Sequence, residues 1–66
     1  MHVTLNGEPR ELPGPLTIAA LLDHLDIDAR RVAVEVNEAV VKRARYGDTP
    51  VQPDDVIEIV NFVGGG

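Results

Sequence analysis

The groups best placed to do chemistry in this chain lie at one end of it. Gly64-Gly65-Gly66 close the 66-residue sequence directly after an apolar, β-branched run. Residues without a Cβ make a thin thread that can take almost any backbone angle. Such a thread can enter a narrow cleft in a partner and present the Gly66 carboxylate to ATP. A carboxylate resists nucleophiles until one of its oxygens becomes a good leaving group, and adenylation does that. The acyl-adenylate is then open to a sulfur, nitrogen or oxygen nucleophile. A frayed chain end is the plain alternative. The position of the glycines, straight after the last expected strand, favours a working tail.

The side chains offer little else. His2 and His24 are far apart in sequence, and each reads as a solvated residue. Thr4, Thr17 and Thr49 have no neighbouring base. Asp23, Asp26 and Asp28 lack the glycine and terminal glutamate of a calcium loop, so no metal site is expected. Asp54-Asp55 reads as a turn before a strand. No glycine-rich loop opens a helix, so no phosphate cradle is expected. With no cysteine, disulfides, thiolate metal sites and a cysteine nucleophile are excluded together.

Composition narrows the class further. Eleven acidic side chains against six basic give a formal net charge of −5, and the pI is about 4.7. That balance argues against a nucleic-acid binder, which rests on clustered Lys and Arg. No apolar run approaches the ~20 residues of a membrane span, and no basic segment followed by an apolar one opens the chain. A soluble cytoplasmic protein of one domain is expected, a carrier or binding module and not a stand-alone enzyme.

The tail needs a scaffold, and the periodicities predict one. Met1, Val3 and Leu5 alternate with His2 and Thr4, as in a half-buried strand. Asn6-Gly7 suits a type I′ hairpin turn, which needs positive φ at both positions. The return strand, Glu8 to Leu12, contains Pro9 and therefore belongs at a sheet edge. Thr17 is a helix N-cap. Ile18, Leu21, Leu22 and Leu25 follow as one apolar stripe, and Asp26 to Arg30 is the exit loop.

Val32 to Asn37 is the next strand, with Val32, Val34 and Val36 on one side and Glu35 on the other. A turn over Asn37-Glu38 leads to a brief strand at Val40-Val41. Lys42 to Pro53, which carries Gly47, Pro50 and Pro53, shows no sustained period and reads as a long irregular connection. The last strand, Val56 to Val63, turns Ile57 and Ile59 toward the helix and Val56, Glu58, Val60 and Phe62 away. Being apolar on both sides, it suits a central position. One helix laid across one face of a mixed sheet is an α+β roll of the β-grasp kind. The expected domain is residues 1–63, with Gly64 to Gly66 as its flexible tail.

At this point the residues reach a family. Asn6-Gly7-Glu8, Leu21-Leu22, the run from Val32 to Asn37, Val40-Val41-Lys42-Arg43, the run from Asp55 to Val60, and Phe62-Val63-Gly64-Gly65-Gly66 together resemble the ThiS family. Its members are ubiquitin-like β-grasp sulfur carriers of thiamine biosynthesis. The resemblance runs over nearly the whole chain. Lys42-Arg43-Ala44 departs from the family's Pro-Arg-Ser-like segment, and Asp54-Asp55 from its Gly-Asp; both lie in turns.

The resemblance implies that an E1-like adenylyltransferase of the ThiF type adenylates Gly66 with ATP, while the carrier itself binds no cofactor. Sulfur from cysteine, passed through a cysteine desulfurase, then makes the end a thiocarboxylate. Thiazole synthase, of the ThiG type, takes up that sulfur. Gly64 and Gly65 would thread the partner's cleft. Two other readings stay open: a sister carrier serving molybdopterin, cysteine or tungsten-cofactor assembly, and a β-grasp interaction module whose tail is inert.

Val56, Val60 and Phe62 lie on the face away from the only helix and form a candidate docking surface. The alternative is that the Lys42 to Pro53 connection, with Tyr46, folds over them. Lys42, Arg43 and Arg45 make a small basic group that reads as a solvated turn.

Overall fold

The computed structural model describes residues 1–62. Five strands form one mixed sheet: β1 (His2–Leu5), β2 (Glu8–Glu11), β3 (Val32–Val36), β4 (Ala39–Val41) and β5 (Val56–Asn61), in spatial order β2-β1-β5-β3-β4. A single α-helix, α1 (Ile18–His24), covers one face. The β1–β5 pair is parallel; β1–β2, β3–β4 and β3–β5 are antiparallel. β5 is thus central and β2, with Pro9, lies at the edge, as the apolar pattern and the proline require.

Both hairpin turns use positive backbone angles. Asn6 and Gly7 have φ of 49° and 83°, and Asn37 and Glu38 have 52° and 71°. These are the angles whose twist matches antiparallel strands. At the edge, Leu12 N–H donates to the Met1 carbonyl at 2.8 Å and the Met1 ammonium donates to the Leu12 carbonyl at 2.7 Å. These two bonds carry the antiparallel pairing on to Leu12, the expected end of the return strand, one residue beyond β2.

The helix is short and is completed by its surroundings. The Thr17 hydroxyl accepts from Ala20 N–H at 3.1 Å, the expected cap. Ile18 N–H donates to the Thr49 carbonyl and Ala19 N–H to the Tyr46 carbonyl, each at 2.9 Å. The first two amides of the helix, which it cannot satisfy internally, are thus met by the 42–53 connection. At the other end, Asp26 has φ 62°, its N–H donates to the Asp23 carbonyl, and Ile27 N–H donates to the Leu22 carbonyl. This is a Schellman stop with aspartate where glycine is usual. The exit loop then tightens into a 3₁₀ turn at Ala29–Arg31.

The core lies between helix and sheet. Val3, Ile18, Leu21, Leu22, Val32, Val34 and Ile57 are its fully buried large side chains, and Leu25, Val36 and Ile59 pack against it half-buried. Tyr46 and Val51 belong to it as well. The 42–53 connection is irregular apart from a 3₁₀ turn at Arg43–Arg45, yet it closes the core on the helix side. Its Tyr46 hydroxyl donates to the Val32 carbonyl at 3.4 Å. This overturns the possibility that the connection covers the opposite face of the sheet. Tyr46 cannot reach that face, because its carbonyl is held by Ala19 N–H and its ring is buried beside the helix.

Candidate functional site: an uncovered sheet face leading to the tail

β5 carries both halves of the candidate site. It is locked between β1 and β3, and its position is reinforced by two asparagine side chains. Asn6 lies in the first hairpin turn. Its Oδ1 accepts from Ile59 N–H at 2.8 Å and its Nδ2 donates to the Ile59 carbonyl at 3.2 Å. The amide side chain thereby stands in for a further residue of β1. Asn37, in the second turn, accepts from Val56 N–H at 3.0 Å and donates to Asp55 Oδ1 at 2.9 Å. Asp55 Oδ2 in turn accepts from Gln52 N–H at 2.8 Å, so this buried carboxylate is fully used in setting the start of β5. Its role goes beyond the plain turn expected from Asp54-Asp55.

Phe62 N–H donates to the Arg31 carbonyl at 2.9 Å, which fixes where β5 leaves the sheet, beside the start of β3. The expected end of this strand at Val63, and Gly64, Gly65 and Gly66, lie outside the described residues.

Alternation along β5 puts Ile57 in the core and Val56, Val60 and Phe62 on the outer face, where they are 46%, 56% and 52% exposed. The sheet register adds a residue that periodicity did not single out. Val40 pairs with Glu35, an outer-face position of β3, and is 72% exposed. The run Val40-Val41 was too short for its inward side to be read from sequence. Between these valines lie two carboxylates, since Glu35 pairs directly with Glu58.

The other candidate residues do not converge. His2 is exposed on β1 and His24 is exposed in the last turn of α1. No group of three or more His, Cys, Asp or Glu that could hold a metal occurs among the described residues. Asp28 is occupied locally: its carboxylate accepts from Arg30 Nη2 at 2.9 Å and from Arg30 N–H at 2.9 Å. Those hydrogen bonds and the guanidinium charge lower its pKa from 3.8 to about 2. Lys42, Arg43 and Arg45 are exposed around the 3₁₀ turn, the solvated arrangement expected of them. A groove of about 300 Å³ between Leu5, Leu25, Ile27 and Ile59 has Arg10 as its sole ionisable lining residue, which offers no acid–base pair. No helix is long and apolar enough to cross a membrane among the described residues.

One helix across a five-stranded mixed sheet, with the last strand at its centre and nothing over the outer face among the described residues, defines a ubiquitin-like β-grasp protein. The model of the ThiS family matches residues 3–66, and the chain belongs to that family. It is 38% identical over 64 residues to the sulfur carrier protein ThiS of Thermus thermophilus, covering 97% of this chain and 98% of that one. The crystal structure of the thiamine biosynthesis protein ThiS from Geobacter metallireducens superposes with a TM-score of 0.88 at 36% identity, over the full length of both chains. Proteins of Magnetococcus marinus and Paramagnetospirillum magneticum named thiazole synthase are 47% and 42% identical over 66 residues. The chain spans about a fifth of the length of those two relatives, 20% in each case.

Proposed function

We propose that this protein is a sulfur carrier for the thiazole step of thiamine biosynthesis, acting in the cytoplasm as a co-substrate and not as an enzyme. The observation that carries the reading is the family match, which extends from the first strand through Gly66. In this scheme an E1-like adenylyltransferase of the ThiF type binds the outer sheet face through Val56, Val60 and Phe62. Gly64 and Gly65 then enter its cleft. A Gly66 carboxylate oxygen attacks the α-phosphorus of ATP, and pyrophosphate leaves. The cysteine sulfur, passed on by a desulfurase as an enzyme persulfide and reduced to sulfide by two thiols that become a disulfide, next attacks the activated carbonyl carbon. The C–S bond forms, the C–O bond breaks, and AMP departs with the oxygen.

The thiocarboxylate sulfur is then delivered to thiazole synthase. The two relatives named thiazole synthase support that receiver, because in each a segment like this whole chain makes up part of the protein. No cofactor stays on the carrier; ATP is consumed by the activating partner.

The test is an intact mass spectrum after incubation with ATP, the adenylyltransferase and a sulfur source. The expected result is a gain equal to sulfur replacing oxygen, localised to Gly66 and lost when ATP is omitted. An unchanged mass, with the same enzyme active on another carrier, would overturn the reading in favour of an inert-tail interaction module or a sister pathway.

A further inference from the structure

Across β5, β3 and β4 the outer face carries valines around two acidic residues, and the register shows how closely the charges are set. Glu35 and Glu58 are direct cross-strand partners. Side chains so placed have Cβ atoms only about 5 Å apart, and like charges there are destabilising. Neither carboxylate takes part in an ion pair or a side-chain hydrogen bond among the described residues. Val56 and Val60 flank Glu58 at two residues' distance along β5, and Val40 closes the row beyond Glu35. Two unpaired carboxylates thus sit inside a frame of exposed valines. A partner that covered the valines with apolar surface alone would strip water from both charges, which strongly opposes binding when no countercharge is supplied. A solvated acidic turn elsewhere on the chain carries no such penalty, because nothing apolar around it invites burial.

We infer that the outer sheet face is built for a protein surface that presents an arginine among apolar side chains, its guanidinium inserted between Glu35 and Glu58. A planar fork with donors on several edges can serve two carboxylates at once, which a lysine ammonium does less well. The valines supply burial, and the carboxylate pair discriminates: an apolar partner without the cation is rejected by desolvation. This inference rests on the docking role of the outer face proposed above and assigns the arginine to the activating adenylyltransferase.

The experiment measures the affinity of the full chain for the adenylyltransferase by titration calorimetry, for the wild type and three variants. Glu35→Gln/Glu58→Gln removes the charge pair and, by relieving repulsion, should melt no lower than the wild type. Asp23→Asn/Asp48→Asn removes the same net charge away from the sheet face. Phe62→Ala removes apolar contact alone. The expected result is a loss of about tenfold or more for the double glutamine variant, with less than about twofold for the Asp23/Asp48 control. If Phe62→Ala weakens binding while the double glutamine variant matches the control, the docking face stands and the arginine inference falls. If neither variant changes affinity, both fall. If the wild-type chain does not bind the enzyme, the activation scheme itself fails and takes the inference with it.

Discussion

Asn6 holds two jobs that pull on different atoms of the same residue. Its backbone turns the first hairpin at φ 49°, and its amide completes the ladder beside Ile59, fifty-three residues away in sequence. Asn6→Ala loses both hydrogen bonds and leaves a Cβ residue in the left-handed region without local help. It should destabilise the fold by about 2 kcal/mol in urea unfolding. The turn role was legible from Asn-Gly, whereas the strand-mimicking role was not. Nothing in a local pattern says which backbone will lie beside a turn once the sheet is assembled, and the same holds for Asp55 with Asn37 and Gln52. Asp28 gives a residue-scale prediction with a definite sign. Its folded pKa of about 2 lies below the ordinary 3.8, so its contribution is present above that higher value and fades as pH falls toward 2. Carboxyl NMR should place its midpoint near 2, and Arg30→Ala should bring it back toward 3.8.

Among the elements, the 42–53 connection has the role least visible beforehand. The helix and the strands β1, β3 and β5 announce themselves by periods of 3.6 and two, while β2 and β4 are legible only from the turns that precede them. The connection has no period because it follows no regular element. Its backbone instead meets the first amides of α1 and its Tyr46 and Val51 fill the core below them. Tyr46 is therefore an anchor between helix and sheet. Tyr46→Ala should cost about 3–5 kcal/mol, as expected for emptying a buried aromatic site. Tyr46→Phe should cost less than about 1 kcal/mol, because the hydroxyl bond to Val32 is long at 3.4 Å. Differential scanning calorimetry of the two variants separates packing from hydrogen bonding. If both melted alike, the anchoring role of the ring would be wrong.

At the scale of the whole molecule, one face of the sheet is closed by α1 and the 42–53 connection, and the other is left open among the described residues. The opposed sides of the last strand already implied this division, since a single helix covers only one face. Whether the second face was covered depended on the path of an aperiodic segment, which only the tertiary structure reveals. A net charge of −5 on so small a body also acts at long range. Association with the activating enzyme should slow as ionic strength rises through the range where the screening length drops from about 30 to 8 Å. Stopped-flow measurement across that range checks it, and a flat profile would remove the steering role.

The central placement of β5 has a further consequence, for the order in which the molecule is made. The β1–β2 and β3–β4 hairpins do not touch along a common edge; each pairs with β5 on its own side. A chain cut at residue 55 therefore holds at most two local hairpins and a short helix with no shared sheet to cover. Cooperative structure arrives only when residues 56–61 slot between them, a late, long-range event in a fold whose other pairings are nearly all local. Residues 1–55 alone should give no cooperative melting transition, and adding the six residues of β5 should restore it. The strand that leads to the proposed reactive end is thus also the one that certifies the fold: until it has docked, the outer face proposed as the docking surface does not exist.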